Sequence, residues 1–279
     1  MRRLPDPMSR LVVEDDAALR LGGAVPSPAA AFLLAVLTLP ALFWLVMLKR
    51  TTVYTAPEEW LMIHVVEVVH AWVEVHLPPL ETLIIGTSAL GSGWFVALAF
   101  AALGLLALAR GRRDLAALLA LGTLCFPIEW MLKYFVSAEA ISLPDLVGAI
   151  FNVDDIGLDD IADFPAGHAL RATALYGIAA FCVARLSADV RQGQIAYAVA
   201  LVLIGAISAT RIYLGAHYPM DVLGGWMAGA ALVAILVAIH VLRVDEKQRV
   251  REAAEAAARA ASGRHRVAVP RRIPERGDS

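Results

Sequence analysis

Long apolar runs alternate with short polar segments along most of this 279-residue chain. A membrane-spanning helix needs about 20 predominantly apolar residues to cross roughly 30 Å of hydrocarbon. Six runs meet that length, at approximately Pro28–Met47, Leu83–Leu108, Leu115–Val136, Pro165–Leu186, Ile195–Leu214 and Pro219–Leu242. The pattern therefore predicts an all-α protein in which residues 28–242 form a six-span helical bundle in the membrane.

The stretch 57–76 is also apolar, but it contains four glutamates and three histidines. That polarity suits an amphipathic helix lying in the membrane interface, with Trp60 and Trp72 at the level of the lipid headgroups. A metal site is the alternative, built on His64, His70 and His76. Their spacing of six turns a helix through about 600° and points successive histidines about 120° apart, which is poor geometry for sharing one ion.

The overall composition agrees with a membrane protein. Hydrophobic residues make up 59% of the chain and charged residues 18%, and the mean hydropathy is +0.66. An ordinary soluble domain contains about 25% charged residues. The composition therefore excludes an ordinary soluble domain, and the sequence contains neither an internal repeat nor a second domain.

The positive charges are unevenly distributed, and cytoplasmic segments of membrane proteins carry the excess of Lys and Arg. Most lie in 1–27, in the loops after the second and fourth spans, and in 243–279, which has ten. With six spans these segments share one side, so we expect both termini to be cytoplasmic. We expect the first span, rather than a cleaved signal peptide, to direct insertion. Lys49 and Arg50 are the exception to the asymmetry. The basic tail 243–279 should be partly disordered.

Ionisable residues stand at the heads of two apolar runs. Arg211, His217 and Asp221 are spaced Arg-x5-His-x3-Asp before the last run, and His168 follows Pro165 at the start of the fourth. Charged groups are costly in membrane segments, so these residues are functional candidates. His217 and Asp221 share a helical face, where a carboxylate can fix the tautomer of an imidazole and make it more basic. A structural His–Asp pair is the alternative.

The same face of the membrane domain offers groups that bind anions. His168 would lie in the first turn of a helix, whose free N–H groups and dipole attract anions. Gly167 would let the backbone approach a phosphoryl group closely, and Arg211 can contact two phosphate oxygens at once. Lys133, at the end of the third span, adds a point charge, although a lysine there can also simply extend to the membrane surface.

These segments resemble the motifs of the type 2 phosphatidic acid phosphatase (PAP2) superfamily, to which the vanadium haloperoxidases are related. The run Pro165–His168 is similar to motif two, Thr210–Asp221 is similar to motif three, and Lys133 corresponds to the lysine that opens motif one. The resemblance covers about a third of the chain by motifs, and the pattern of spans extends it to most of the remainder.

The resemblance implies a role for each residue. His217 would attack phosphorus and form a phosphohistidine, Asp221 would steady that imidazole, and His168 would protonate the departing alkoxide. Lys133 and Arg211 would bind the substrate phosphate, together with the backbone at Gly167. The implied chemistry uses no metal and no cofactor.

The chain departs from the family pattern at two positions expected to hold the transferring phosphoryl group. Motif one has Ala140 in place of an arginine, and motif two has Ala166 in place of a serine. Loss of one preorganised donor typically costs about 10²–10³ in rate, so we expect a slower enzyme or one with replaced donors. Arg171, one helical turn after His168, is a candidate replacement. Its alternative is an ion pair with Asp163 or another loop acid.

The predicted loop 137–164, between the third and fourth spans, is acidic and contains no Lys or Arg. Its aspartates before Asp163 are Asp145, Asp154, Asp155, Asp159 and Asp160. An acidic rim could suit a cationic headgroup, a divalent ion, or a lid that pairs with Arg171 and Lys133. A solvated loop with no ligand is the simplest interpretation.

The sequence predicts a membrane-bound lipid phosphate or diphosphate phosphatase in a bacterial plasma membrane, with its active site on the outer face. Alternatives are a lipid phosphotransferase using the same site and a weakened homologue that binds lipid phosphates or a partner protein. Haloperoxidase activity ranks behind these because those relatives are soluble. We expect the lipid substrate and membrane lipids as binding partners, and no nucleic acid.

Overall fold

A computed structural model describes residues 25–52, 55–136 and 164–267. Within those ranges all regular secondary structure is helical. The helices are α1 (Pro28–Thr51), α2 (Ala56–Leu61), a π-helical turn (Met62–Val66), α3 (Glu67–His76), α4 (Pro78–Ala89), α5 (Gly93–Ala109), α6 (Arg113–Gly122), α7 (Cys125–Val136), α8 (Gly167–Leu186), α9 (Val190–Tyr213) and α10 (Pro219–Val267). The acidic loop, nearly all of the N-terminal segment and the end of the basic tail lie outside the described residues.

Among the described residues, five stretches are long and apolar enough to cross a membrane: Pro28–Thr51, Arg113–Val136 (α6 with α7), Gly167–Leu186, Val190–Tyr213 and Pro219–Ala256. A sixth arises if the bent pair of α4 and α5 counts as one span. The prediction of an all-α polytopic membrane protein is therefore confirmed. The chain divides into two compact units, one up to Ala238 and one from Ile239; the site described below lies in the first.

The predicted second span, Leu83–Leu108, is not one straight helix. α4 begins earlier, at Pro78, and meets α5 at an angle of 55° across residues 90–92. Ser92 starts α5 because its backbone is extended and its hydroxyl accepts the N–H of Phe95. The carbonyl oxygen of Leu90 accepts a hydrogen bond from the hydroxyl of Tyr176. The carbonyl oxygen of Gly91 accepts a hydrogen bond from Nε of Arg171. The break is thus stabilised by side chains of α8.

Helices α8 and α10 approach each other closely through small residues. A Cβ atom at Gly225 would lie 2.6 Å from the carbonyl oxygen of Ala166, and one at Gly229 would lie 2.6 Å from Cβ of Thr173. Membrane helices pack largely through such small residues, because lipid supplies little hydrophobic driving force between them. The close contact brings the starts of α8 and α10, which carry the predicted catalytic residues, side by side.

The predicted interfacial segment is helical, with the π-helical turn in its middle. It begins at a capping box in which the Glu58 carboxylate accepts the N–H of Thr55. Its three histidines face different partners: His64 and His76 stack on Trp60 and Trp72, and His70 pairs with Glu81 at 3.3 Å. Each of the three histidines thus has a different side-chain partner.

Candidate active site

The starts of α8 and α10 are joined by a backbone hydrogen bond. The N–H of Ala166 donates to the carbonyl oxygen of Asp221 at 2.9 Å, so the two segments that carry the predicted catalytic histidines are in direct contact. The ring of Phe164 fills the space beside Gly224, where a Cβ atom would overlap it. His168 and His217 are both buried in this region, at 6% and 8% exposure.

His217 lies in the short turn between α9 and α10. Gly215 adopts a positive φ of 71°, a left-handed conformation that suits glycine and ends α9. The N–H of Ala216 donates a hydrogen bond to the carbonyl oxygen of Arg211 at 3.0 Å. Burial, followed by the nearby charges of Arg211, Lys133, Arg171 and Lys49, lowers the pKa of His217 well below its ordinary value. The imidazole is therefore neutral at neutral pH, as a nucleophile must be.

Asp221 has different partners from those expected. Its Oδ1 lies 2.9 Å from Nζ of Lys49, and its Oδ2 accepts the N–H of Tyr218 at 3.0 Å. Across the residues that the structure describes, no hydrogen bond joins Asp221 to the imidazole of His217. The expected direct contact is thus replaced by a carboxylate that holds the turn containing His217.

Sequence reasoning missed Lys49 as a site residue. The available signal was its position: with Arg50 it forms the exception to the charge asymmetry of the loops. The structure explains the exception for Lys49, which is 8% exposed and lies beside Asp221 rather than at the membrane surface.

Arg171 is fully buried and makes a closely spaced set of contacts. Its Nη1 donates to both carboxylate oxygens of Glu129, at 2.9 and 2.7 Å, and its Nη2 lies 3.3 Å from Nδ1 of His168. A guanidinium has no acceptor. The Nδ1 atom must therefore accept this hydrogen bond, so a neutral His168 ring carries its proton on Nε2.

Glu129 lies against two of the residues singled out from the sequence. Arg171 pairs with this acid of α7; Asp163 and the other loop acids, the partners named from the sequence, lie outside the described residues. A Cβ atom at Gly167 would overlap Oε1 of Glu129. Residue 167 is thus kept small by a neighbouring carboxylate, and the expected close approach of its backbone to a phosphoryl group stays a prediction.

The remaining predicted phosphate ligands, Lys133 and Arg211, are also buried. Lys133 is 3% exposed and its Nζ lies 3.9 Å from Glu129 Oε1, so it does not extend to the membrane surface. Arg211 is 2% exposed, and its Nη1 donates to the hydroxyl of Ser88 at 3.2 Å, at the end of α4. Both are among the cations whose charge lowers the pKa of His217.

The part of the chain that carries the candidate site is similar in sequence to known proteins. The sequence model of the PAP2 superfamily aligns with residues 148–245, which include the starts of α8 and α10. Phosphatidylglycerophosphatase B of Bacillus subtilis (strain 168) is 36% identical over 70 residues, or 25% of this chain. The chain covers 34% of the length of that curated relative.

A likeness in fold extends beyond the matched sequence. The crystal structure of the first transmembrane PAP2 type phosphatidylglycerolphosphate phosphatase from Bacillus subtilis aligns with a TM-score of 0.51. The alignment covers 74% of this chain and 95% of that chain, at 22% identity. At this identity the likeness establishes the helical fold, and the chemistry has to be argued from the site itself.

The segments that resemble PAP2 motifs two and three offer no free hydroxyl from Ala166 or Thr210. The hydroxyl of Thr210 donates to the carbonyl of Ile207 at 2.6 Å within α9. Ala166 is fully buried and carries no polar side chain. Ala140, the other departure, lies outside the described residues. The described part of the candidate site is therefore built from cations and imidazoles, with Glu129 as an acid beside Arg171 and Lys133.

Proposed function

We propose that this protein is a membrane-bound lipid phosphate or diphosphate phosphatase that uses His217 as its nucleophile. The observation that carries the proposal is the convergence of two buried imidazoles at the starts of adjacent helices, with four cations acting on one of them. Cations around a neutral imidazole attract a phosphate while leaving the nucleophile unprotonated. The name of the 36%-identical relative, phosphatidylglycerophosphatase B, indicates the class of substrate to test first.

The reaction would proceed in two displacements. In the first, a lone pair of neutral His217 attacks phosphorus, the bond from phosphorus to the leaving oxygen breaks, and protonated His168 gives that oxygen a proton from Nε2. In the second, Nε2 of His168 removes a proton from water, which attacks the phosphohistidine and releases inorganic phosphate. Nε2 is assigned to both transfers because Nδ1 faces Arg171. While His168 is protonated, or acts as a base at Nε2, its other proton is on Nδ1. The hydrogen bond that Nδ1 accepts from Arg171 in the resting neutral ring is therefore given up during the reaction. Neither transfer involves a metal or a cofactor.

The orientation proposed from the charge distribution places this site at the outer face, with both termini cytoplasmic. Lys49 follows the first span, in a segment that this orientation assigns to the outer side. Because its side chain is buried, it is not one of the loop charges that determine the orientation of a membrane protein. A lipid phosphate suits the location because its acyl chains can stay in the bilayer while its headgroup enters between the helices.

The experiment is phosphate release by the detergent-purified full chain from lipid phosphates and diphosphates, beside His217→Ala. We expect release by the wild-type protein, none by His217→Ala, and an acid-labile labelled phosphoenzyme on rapid quenching of the wild type. Release that persists in His217→Ala would refute the assignment of the nucleophile. Transfer of label to an added alcohol would redefine the protein as a phosphotransferase.

A second candidate is a weakened homologue that binds lipid phosphates without efficient turnover. Glu129 favours it, because this carboxylate lies beside Gly167 in the first turn of α8, where a helix start would otherwise attract a phosphate. Lipid phosphate binding by equilibrium dialysis, with no release of phosphate over hours, would support this candidate.

A further inference from the structure

Lys49 lies in the last turn of α1, outside the PAP2 match and outside the three motifs. A lysine at the end of a span ordinarily extends its ammonium group to the membrane surface. Its neighbour Arg50 is exposed, whereas Lys49 is 8% exposed and directed into the protein. Adjacent cations on one helix end thus have opposite environments, which makes Arg50 a matched control for Lys49.

Lys49 contacts two residues of the turn in motif three. Its Nζ lies 2.9 Å from Oδ1 of Asp221 and 5.6 Å from the centre of the Tyr218 ring. The other carboxylate oxygen of Asp221 accepts the N–H of Tyr218. Lys49 therefore secures a carboxylate that itself closes the turn directly after His217.

The same turn is held from a second direction by α2. Oε1 of Glu58 accepts the N–H of Met220 at 2.7 Å, while Oε2 accepts the N–H of Thr55 in the capping box. Residues 218, 220 and 221 are therefore all engaged by side chains or by the backbone of motif two. The N-terminal part of the chain contributes two of these restraints, and Lys49 is the one that brings a positive charge.

We propose that Lys49 is a positioning residue of the active site, which fixes the Asp221 carboxylate and through it the turn carrying the nucleophilic imidazole. The inference rests on the proposed function of His217. It also supplies, from a different helix, a cation to a site whose motif one has Ala140 in place of an arginine. A residue outside every matched segment would then help to set the rate of the reaction.

Lys49 acts within a site containing many other charges. The titratable and charged groups around His217 are Lys49 of α1, Glu58 of α2, Glu129 and Lys133 of α7, His168 and Arg171 of α8, Arg211 of α9, and Asp221 of α10. Lys49 is one of the cations that lower the pKa of His217. Its removal should raise that pKa, both by deleting a cation and by freeing the Asp221 carboxylate to contact the imidazole.

The experiment compares Lys49→Met, Lys49→Arg and the control Arg50→Met in the full chain in detergent. With a short-chain lipid phosphate we expect Lys49→Met to lose about 10² in kcat, as a small misplacement of a nucleophile does, with KM within about twofold of wild type. Lys49→Arg should keep a larger share of kcat, and Arg50→Met should match the wild type. A raised KM with unchanged kcat would overturn positioning in favour of direct substrate binding.

A second readout does not depend on turnover. In protein with ¹³Cε1-labelled histidine, the His217 resonance is assigned by its loss in His217→Ala and titrated with pH. We expect a higher pKa of His217 in Lys49→Met and an unchanged one in Arg50→Met. Identical titrations in both variants would refute the proposal. If the wild type released no phosphate at all, the proposed function would fail, while this titration would still decide the placement of Lys49.

A folding defect in Lys49→Met is handled by a double variant. Lys49→Met with Asp221→Asn removes both charges, so no buried charge is left without its partner. Positioning through Asp221 requires that the double variant lose no more kcat than Asp221→Asn alone. Two independent, multiplying losses would show that Lys49 acts on the reaction by another route.

Discussion

Replacing Glu129 by glutamine should destabilise this protein far more than its single changed atom suggests. The Glu129 carboxylate is fully buried and accepts both hydrogen bonds from Nη1 of Arg171. Lys133 Nζ lies 3.9 Å from the same carboxylate. An amide of almost the same shape keeps one acceptor but removes the negative charge that faces Arg171 and Lys133.

The magnitude follows from the geometry of the pair. Two unit charges about 4 Å apart attract by about 4 kcal/mol at an effective dielectric constant of about 20. Removal of one partner from a buried ion pair typically costs about 3–5 kcal/mol, because the remaining charge stays desolvated. Arg171 keeps its hydrogen bond to the carbonyl of Gly91 at 3.2 Å, which limits the loss. We therefore expect the free energy of unfolding to fall by about 3–4 kcal/mol.

The assay is urea-induced unfolding in detergent micelles, followed by the fluorescence of the six tryptophans. Glu67→Gln, which changes an exposed glutamate in the same way, is the control and should stay within about 0.5 kcal/mol of wild type. The double variant Glu129→Leu with Arg171→Met removes the pair and should recover most of the loss. Equal stabilities of Glu129→Gln and Glu67→Gln would refute the argument that this buried pair is needed to neutralise charge.

Three further outcomes are expected. The lowered pKa of His217 keeps its neutral, nucleophilic form populated as the medium becomes acidic. As the pH is lowered, kcat/KM should therefore be maintained below pH 6.5 and fall only when the pH passes through that lowered pKa. A pH–rate profile in which kcat/KM already falls on acidification from pH 7 would contradict this prediction. Glu58 accepts the N–H of Met220 near the start of α10, so Glu58→Gln should lower the free energy of unfolding by about 0.5–2 kcal/mol, as the loss of a helix cap does. The control Glu59→Gln should leave the free energy of unfolding unchanged. Equal urea midpoints for the two variants would count against a capping role of Glu58. Gly229→Leu should lower the free energy of unfolding by at least about 1–3 kcal/mol, because the larger side chain would force α8 and α10 apart. Gly104→Leu is the control, since a side chain at Gly104 has open space, and it should be tolerated in the same unfolding assay.

The fold was largely predictable because lipid imposes a simple requirement. Each span has to be long, apolar and helical, and that requirement is visible in the sequence one segment at a time. The break in the second span was not visible in this way. It depends on carbonyl groups at Leu90 and Gly91 that are satisfied by Tyr176 and Arg171, more than 75 residues further along the chain.

The candidate site likewise contains a part that the sequence predicts and a part that it does not. Residues within one motif, such as His217 and Asp221, could be proposed from their spacing, although the partners of Asp221 could not. Lys49 and Glu129 act through contacts across 172 and 42 positions of sequence, respectively, to Asp221 and Arg171. No local pattern marks such pairs, and the one available hint was an unmatched charge in an apolar context. The roles of the predicted site residues themselves stay predictions until the variants are made.

The bend between α4 and α5 has a consequence for biogenesis. Spans enter the bilayer in order of synthesis, so the second is in place before the fourth has left the ribosome. Exposed carbonyl groups are costly in hydrocarbon, and the donors that satisfy those at the bend, Tyr176 and Arg171, belong to the fourth span. The second span should therefore insert straight and acquire its bend only on later assembly, which makes the site a product of the last stage of maturation.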